Sequence, residues 1–535
     1  MGLDRVYIYD TTLRDGAQTS GVDFGPMDKQ AIAQELDQLG VDYIEGGWPG
    51  ANPTDNTFFD NLPPLKTARI TAFGMTRRAG RSASNDPGLN AVMATAANVL
   101  CMVGKASGYH VDVALGIERS ENLAMIKDSV AYAASKMDEV LFDAEHFFDG
   151  YKADPDFAMA CLTAALDGGA RWVVLCDTNG GTLPFEIEDI VGKVITEIPG
   201  DQIGIHCHND TENAVANSLV AVRAGVRMVQ GTLNGLGERC GNANLVSIIP
   251  TLMLKMGFET GVSAESLTTL RQISTQLDER LNRAPNHHRP YVGDSAFAHK
   301  GGLHVSAVEK DPPSYEHVPP ETVGNRRVIL VSDQAGRSNL LARFREIGLD
   351  VDPDDPRLSE LLETVKTKEM NGYAYDGAEA SFELLARRTL GDVPEYFRCT
   401  TFRVLNERRW IDDDTVVSLT EATVKLALQN GTEMAVAEGN GPVNALDAAL
   451  RKVLLPLYPS LSDLRLIDYK VRILTPGDAT AAITRVIIES TDGSGAHWST
   501  LGVSANVIDA SYNALRDSIV FKLLRDGIAK SDAST

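Results

Sequence analysis

Eight times between residue 6 and about residue 235, the chain runs through a short β-rich segment and then a longer one of helical character. The β-rich runs fall at 6–13, 43–48, 69–75, 98–103, 140–145, 172–177, 203–208 and 228–233, with helical stretches such as 28–39 and 213–224 between them. Strands separated by helices are joined as parallel neighbours, since the helix is the crossover that a parallel pair requires. Eight such units either close into a (β/α)8 TIM barrel or open into a doubly wound sheet. The polar residues decide between them. Arg14, Asp15, Glu145, Thr178, His206, His208 and Asn242 all lie at or just past the C-terminal ends of the runs, and in a barrel those ends converge on one mouth. We therefore expect an α/β protein in which residues 1–262 form a TIM-barrel catalytic domain.

Beyond residue 262 the alternation is lost. Clusters rich in Pro, His and charge appear, such as Asn286-His287-His288-Arg289-Pro290 and Asp352-Pro353-Asp354-Asp355-Pro356. Residues 263–394 read as a helical connecting region too long for a simple linker, and the acidic run within it as a solvated loop. From 395 to 535 an internal repeat is visible. Strand-like runs at 397–405, 415–419 with 422–428, and 434–437 lead into a helix over 443–455, and runs at 466–474, 481–490 and 497–503 lead into a helix over 507–524. This predicts an α+β domain built from a duplicated strand-strand-strand-helix unit, whose crevice is suited to a small effector. No convergent acid/base set is visible in it.

Several function classes are excluded at this level. A net charge of -23 argues against a sequence-independent nucleic-acid binder, which needs a basic surface to displace counterions. Charges break every apolar stretch well before the roughly 20 residues of a membrane span, and the first residues enter a strand without a leader-like apolar segment. The six cysteines form no C-x-x-C pair, so neither a disulfide framework nor a thiolate zinc site is expected. These features point to the cytoplasm.

The chemistry begins with Arg14-Asp15 and His206-Cys207-His208. Two imidazoles at i and i+2 of a strand face the same way, and Cys207 between them faces outward. Asn242, in Gly235-Leu236-Gly237-Glu238-Arg239-Cys240-Gly241-Asn242, supplies an amide oxygen. Asp15, His206, His208 and Asn242 make a mixed oxygen/nitrogen set suited to Mg²⁺, Mn²⁺, Co²⁺ or Zn²⁺, with positions left for substrate. Any one of them alone reads more simply as rim polarity or a surface ion pair; their convergence is what favours a metal. The Gly235-x-Gly237 pair lacks the third glycine and downstream acid of a dinucleotide site, so Glu238 and Arg239 are assigned to bracing the loop of Asn242. His146, next to Glu145, is expected to pack, and His287 and His288 are assigned no chemistry.

The motifs Asp10-Thr11-Thr12-Leu13-Arg14-Asp15-Gly16-Ala17-Gln18, His206-Cys207-His208-Asn209-Asp210 and Gly235-Leu236-Gly237-Glu238-Arg239-Cys240-Gly241-Asn242-Ala243 resemble the 2-isopropylmalate, homocitrate and citramalate synthase family. The likeness extends to Gly439-Asn440-Gly441-Pro442-Val443-Asn444-Ala445-Leu446, which resembles the family's leucine/isoleucine-sensing regulatory domain. The stretches at 45–53 and 16–24 are most similar to the citramalate-forming subgroup.

The resemblance implies a metal-dependent Claisen-type condensation of acetyl-CoA with a 2-oxo acid, pyruvate for that subgroup, in isoleucine biosynthesis. It also implies inhibition by isoleucine through residues 395–535, and a homodimer. Arg14 then meets the keto oxygen and Thr178 the substrate carboxylate. Two bases compete: Glu145 of the fifth strand, and His304 of Lys300-Gly301-Gly302-Leu303-His304, which in the family can come from the partner subunit with Tyr315 as companion. His299 precedes His304, and only the resemblance favours the latter. Sister synthases acting on other 2-oxo acids, and an acyl-CoA lyase on the same barrel, are the alternatives; the long duplicated tail weighs against the lyase.

Overall fold

In the computed structural model, which describes residues 4–331, 336–410, 416–429 and 431–528, the eight runs pair in sequence order, all parallel, as a closed barrel. Its strands are β1 Tyr7–Asp10, β2 Tyr43–Gly47, β3 Arg69–Met75, β4 Val99–Lys105, β5 Glu139–Glu145, β6 Trp172–Asp177, β7 Ile203–Cys207 and β8 Met228–Gly231. Closure is made by β1 against β8, from Tyr7↔Met228 to Asp10↔Gly231, so no edge is left to pair with another chain. Alternate strand residues divide between two cores. Tyr9, Tyr43, Phe73, Leu141 and Trp172 fill the barrel, while Ile8, Ile44, Leu100, Phe142 and Cys207 pack outward under the helices.

Local chemistry sets where those helices begin. Pro53, Pro87 and Pro155 each occupy the first turn, where the missing N–H costs nothing. The residues before them, Asn52, Asp86 and Asp154, accept the N–H groups of Asp55, Leu89 and Phe157.

The chain divides into two compact units, Met1–Phe297 with Glu316–Arg327, and Ala298–Tyr315 with Val328–Thr535. In the first unit, helices Ala264–Leu267 and Leu270–Arg280 follow the barrel, and Val318 and Val323 of the returning segment join its outer core. Residues of the stretch 263–394 thus occur in both units.

In the second unit, the short strands β9 Ala298–His299 and β10 Val328–Ile329 pair in parallel, and helices Arg337–Glu346, Arg357–Met370 and Glu379–Leu390 form a cluster. Two antiparallel sheets follow. The first is β11 Arg398–Trp410, β12 Val416–Leu428 and β13 Gly431–Gly439, leading into helix Pro442–Leu454; the second is β14 Arg465–Ile473, β15 Thr484–Thr491 and β16 His497–Ser504, leading into helix Val507–Arg525. The duplicated unit is present. One detail differs: the runs at 415–419 and 422–428 are one strand, with Thr415 outside the described residues. Thr420, at the apparent break, is buried with its hydroxyl 3.2 Å from Asn406 Oδ1, so the in/out alternation continues without a turn.

Each sheet lays one face on its own helix. Ala422, Val424 and Leu426 meet Leu446 and Leu450, and Val486 and Ile488 meet Ala510 and Ala514. The opposite faces differ. On the second sheet Leu501, Ile487 and Val503 are covered by Phe344, Leu361 and Phe382 of the helical cluster. On the first, Leu405, Leu419, Met434 and Val436 are 55, 41, 66 and 40 % exposed. No helix among the described residues is long and apolar enough to cross a membrane.

Candidate active site

The turn after β1 is built by Asp10, whose carboxylate accepts both the N–H and the hydroxyl of Thr12 at 2.8 Å. The N–H groups of Arg14, Asp15 and Gly16 then converge on Thr11 O, so Arg14 and Asp15 are delivered to the mouth on a tight backbone loop. Across the mouth, His208 and Asn242 form an isolated bridge between the β7 and β8 loops. Ligand atoms of Asp15, His206 and His208, all buried, lie within 4.8 Å of one another. His206 Nε2 is 3.3 Å from His208 Nε2 and 3.4 Å from Asp15 Oδ2. Asn242 Nδ2 donates to Asp15 Oδ2 at 2.7 Å, and its Oδ1 is buried with no partner. Two facing imidazole nitrogens, a carboxylate and an orphaned amide oxygen fit a divalent cation. Gly237 serves this amide: at φ +157° it follows a path few side chains adopt, and a Cβ there stands 2.1 Å from Asn242 Oδ1.

Charge is concentrated here. Arg14 Nε donates to Glu45 Oε2 at 2.6 Å, its Nη1 lies 3.3 Å from Asp15 Oδ1, and its guanidinium carbon sits 3.9 Å from the centre of the Phe73 ring. Burial alone lowers the guanidinium pKa, but Glu45 and Asp15 outweigh it and hold Arg14 above its ordinary range. Burial likewise pushes Asp15 up, and Arg14, His206 and His208 reverse this, holding its carboxyl well below the usual range. Burial and the neighbouring His206 push His208 down to about 4. Burial raises Glu45, which Arg14 only partly offsets.

Thr178 and Glu145 line the same cavity, of about 300 Å³, with Arg14, Asp15 and both histidines. The Thr178 hydroxyl oxygen accepts the N–H of His146 at 2.8 Å, which leaves its own O–H to donate to a ligand. That N–H is aimed by an uncommon backbone, φ +59° at His146, whose ring stacks on His110 with centroids 3.6 Å apart. Glu145 pairs with Lys105 of β4. A second cavity of about 270 Å³ adjoins, with Met75, Val103, Lys105 and Glu145 on the walls of both. Trp48 lines both as well, edge-on to Phe73. Arg239 braces its surroundings through Asp210, at 2.7 and 2.9 Å, and the Thr178 carbonyl, at 2.8 Å.

The barrel thus brings together Arg14, Asp15, Glu145, Thr178, His206, His208 and Asn242. His304 and Tyr315 belong to the second unit, where their rings stack at 4.3 Å. Sequence reasoning did not assign Glu45 or Lys105. The one available signal was an acidic or basic residue within an otherwise apolar strand, and the partners lie 31 and 40 residues away.

A parallel eight-stranded barrel carrying this mouth defines the HMGL-like class, whose family model matches residues 5–274. Residues 291–372 match a homocitrate synthase post-HMGL domain-like model, and residues 376–523 the LeuA allosteric (dimerisation) domain. Within that class, the chain belongs to the (R)-citramalate synthase family. It is 52% identical to the (R)-citramalate synthase of Aquifex aeolicus over 98% of both chains. It is 51% identical to that of Geobacter sulfurreducens over 97% of both, and 47% identical to that of Synechocystis over 99% of this chain and 98% of the relative.

Proposed function

We propose that this chain condenses acetyl-CoA, pyruvate and water into (R)-citramalate and CoA, as a step of isoleucine biosynthesis in the cytoplasm. The observation that carries the reading is full-length likeness, at 43 to 52% identity, to five (R)-citramalate synthases. Likeness to a probable 2-isopropylmalate synthase of Methanopyrus kandleri is lower, 32% over 96% of this chain. The Trp48 and Phe73 wall narrows the cavity, which supports pyruvate over bulkier 2-oxo acids. The match of residues 376–523 to an allosteric domain counts against a lyase.

Asp15, His206, His208 and Asn242 would hold the divalent ion, Mg²⁺, Mn²⁺, Co²⁺ or Zn²⁺. When bound, that ion supplies Lewis acidity to the keto acid's carbonyl. Arg14, kept charged by Glu45 and Asp15, donates to the keto oxygen as it gains negative charge. The free O–H of Thr178 holds the substrate carboxylate. Glu145, paired with Lys105, stands on the wall shared by the two cavities and takes a proton from the acetyl methyl group. His304 and Tyr315, supplied by the partner of a homodimer, serve the acetyl-CoA end. Residues 1–262 act as the catalytic domain, 263–394 as the connection, and 395–535 as the regulatory domain that senses isoleucine. Six free thiols suit a reducing compartment.

The test is thiol release from acetyl-CoA with a panel of 2-oxo acids. Pyruvate should give the highest kcat/KM; preference for 2-oxoisovalerate or 2-oxoglutarate overturns the substrate. Isoleucine inhibition that persists when residues after 395 are deleted overturns the role of the tail.

A further inference from the structure

His206 and His208 turn the same atom, Nε2, toward each other at the candidate ion site, and they differ in what stands behind. His208 Nδ1 is buried without a partner. His206 Nδ1 lies 2.8 Å from Oε1 of Gln230, a fully buried residue of β8, and Gln230 Nε2 donates at 2.9 Å to Asp143 Oδ1 of β5. Asp143 Oδ1 accepts the amide N–H, and this turns the amide oxygen toward the histidine. That oxygen only accepts. Gln230 therefore holds a proton on Nδ1 of His206, so the lone pair a metal requires can be offered only at Nε2, the nitrogen that faces Asp15 and His208.

We propose that Gln230 is a positioning residue that locks His206 in its Nδ1–H form, with Asp143 setting the orientation of Gln230. One of the two imidazoles thus has its ion-facing nitrogen selected by a partner behind the ring, and the other does not. The inference rests on the reading that Asp15, His206, His208 and Asn242 hold a divalent cation.

The test measures Mn²⁺ binding by calorimetry to the full chain stripped with chelator, alongside thermal melts of the metal-free protein. Gln230→Met keeps the length and bulk of the side chain but loses the acceptor, and should weaken Mn²⁺ binding about 10- to 100-fold. Gln230→Glu keeps an acceptor and should recover most of that loss. A packing role predicts the reverse order, since Met fits a buried site better than a carboxylate beside Asp143. Mn²⁺ binding by Gln230→Met as tight as wild type, or a weaker Gln230→Glu than Gln230→Met, overturns the proposal. If Gln230→Met does not fold, Asp143→Asn carries the test: its amide can donate or accept, so the orientation is released and affinity should fall, and wild-type affinity overturns the proposal. His208→Ala separates the two levels. If it binds Mn²⁺ as wild type does, the ion-site reading itself fails.

Discussion

In the barrel, Arg14, Asp15 and His206 are charged groups or their partners buried at one mouth; in the duplicated module, Leu405, Leu419 and Met434 are apolar groups left exposed on one sheet. Both arrangements cost stability. Burying charges demands full pairing, and exposed apolar patches of this kind mark contact surfaces. The barrel pairs its buried charges at the mouth, whereas the module leaves these apolar side chains open on the outer face of its first sheet. The module repeats the lesson internally, since its second sheet has the same topology and its outer face is covered by Phe344, Leu361 and Phe382.

The strongest way to break this contrast is at the mouth. Asp15→Asn should remove Mn²⁺ binding and lower kcat/KM by about 4 kcal/mol, roughly 10³-fold, while the oligomeric state stays as in wild type. A variant that loses activity and also dissociates would show that the two regions are not independent. Glu145→Gln should slow turnover by about 10²-fold or more and slow solvent exchange of the acetyl-CoA methyl protons in parallel. An unchanged exchange rate moves the base to His304.

The module offers the next comparison. Leu501→Ala, on the covered face, should destabilise the second unit by about 2 kcal/mol or more in denaturant titration. Leu405→Ala should change that stability by no more than about 0.5 kcal/mol, and instead weaken self-association in sedimentation experiments. Equal effects at the two sites would erase the distinction between the sheets. The smallest effect is on pH. Asp492 is held down to about 2 by Ser494, against its burial, with Lys522 assisting. Its folded value lies below the unfolded one, so its stabilisation is complete above about pH 4 and lost as pH falls through 2. Asp492→Asn should remove about 1 to 2 kcal/mol of that acid-side slope.

The barrel was legible because each parallel strand is a short apolar run whose polar residues stand at one end; Arg14, Glu145, His206 and His208 are readable one strand at a time. What escaped were pairings across strands. Glu45 beside Arg14, Lys105 beside Glu145 and Gln230 behind His206 are fixed by which strands neighbour or face each other in the closed cylinder, and no local pattern carries that. The two runs read at 415–419 and 422–428 were divided by polar Thr420 and Glu421. A threonine buried against Asn406 and a glutamate on the open face look like a turn only until the pairing partner is known.

The segment Glu316–Arg327 governs where the chain can be divided without opening the barrel's packing. It lies beyond Ala298–Tyr315, yet Val318 and Val323 belong to the barrel's outer core, and Asn325 donates to the carbonyls of Tyr291 and Gly293 at 2.9 Å. A gene cut after Phe297 therefore encodes a cylinder missing part of its own packing. A truncation that keeps this unit whole therefore has to retain Glu316–Arg327 as well as the residues up to Phe297.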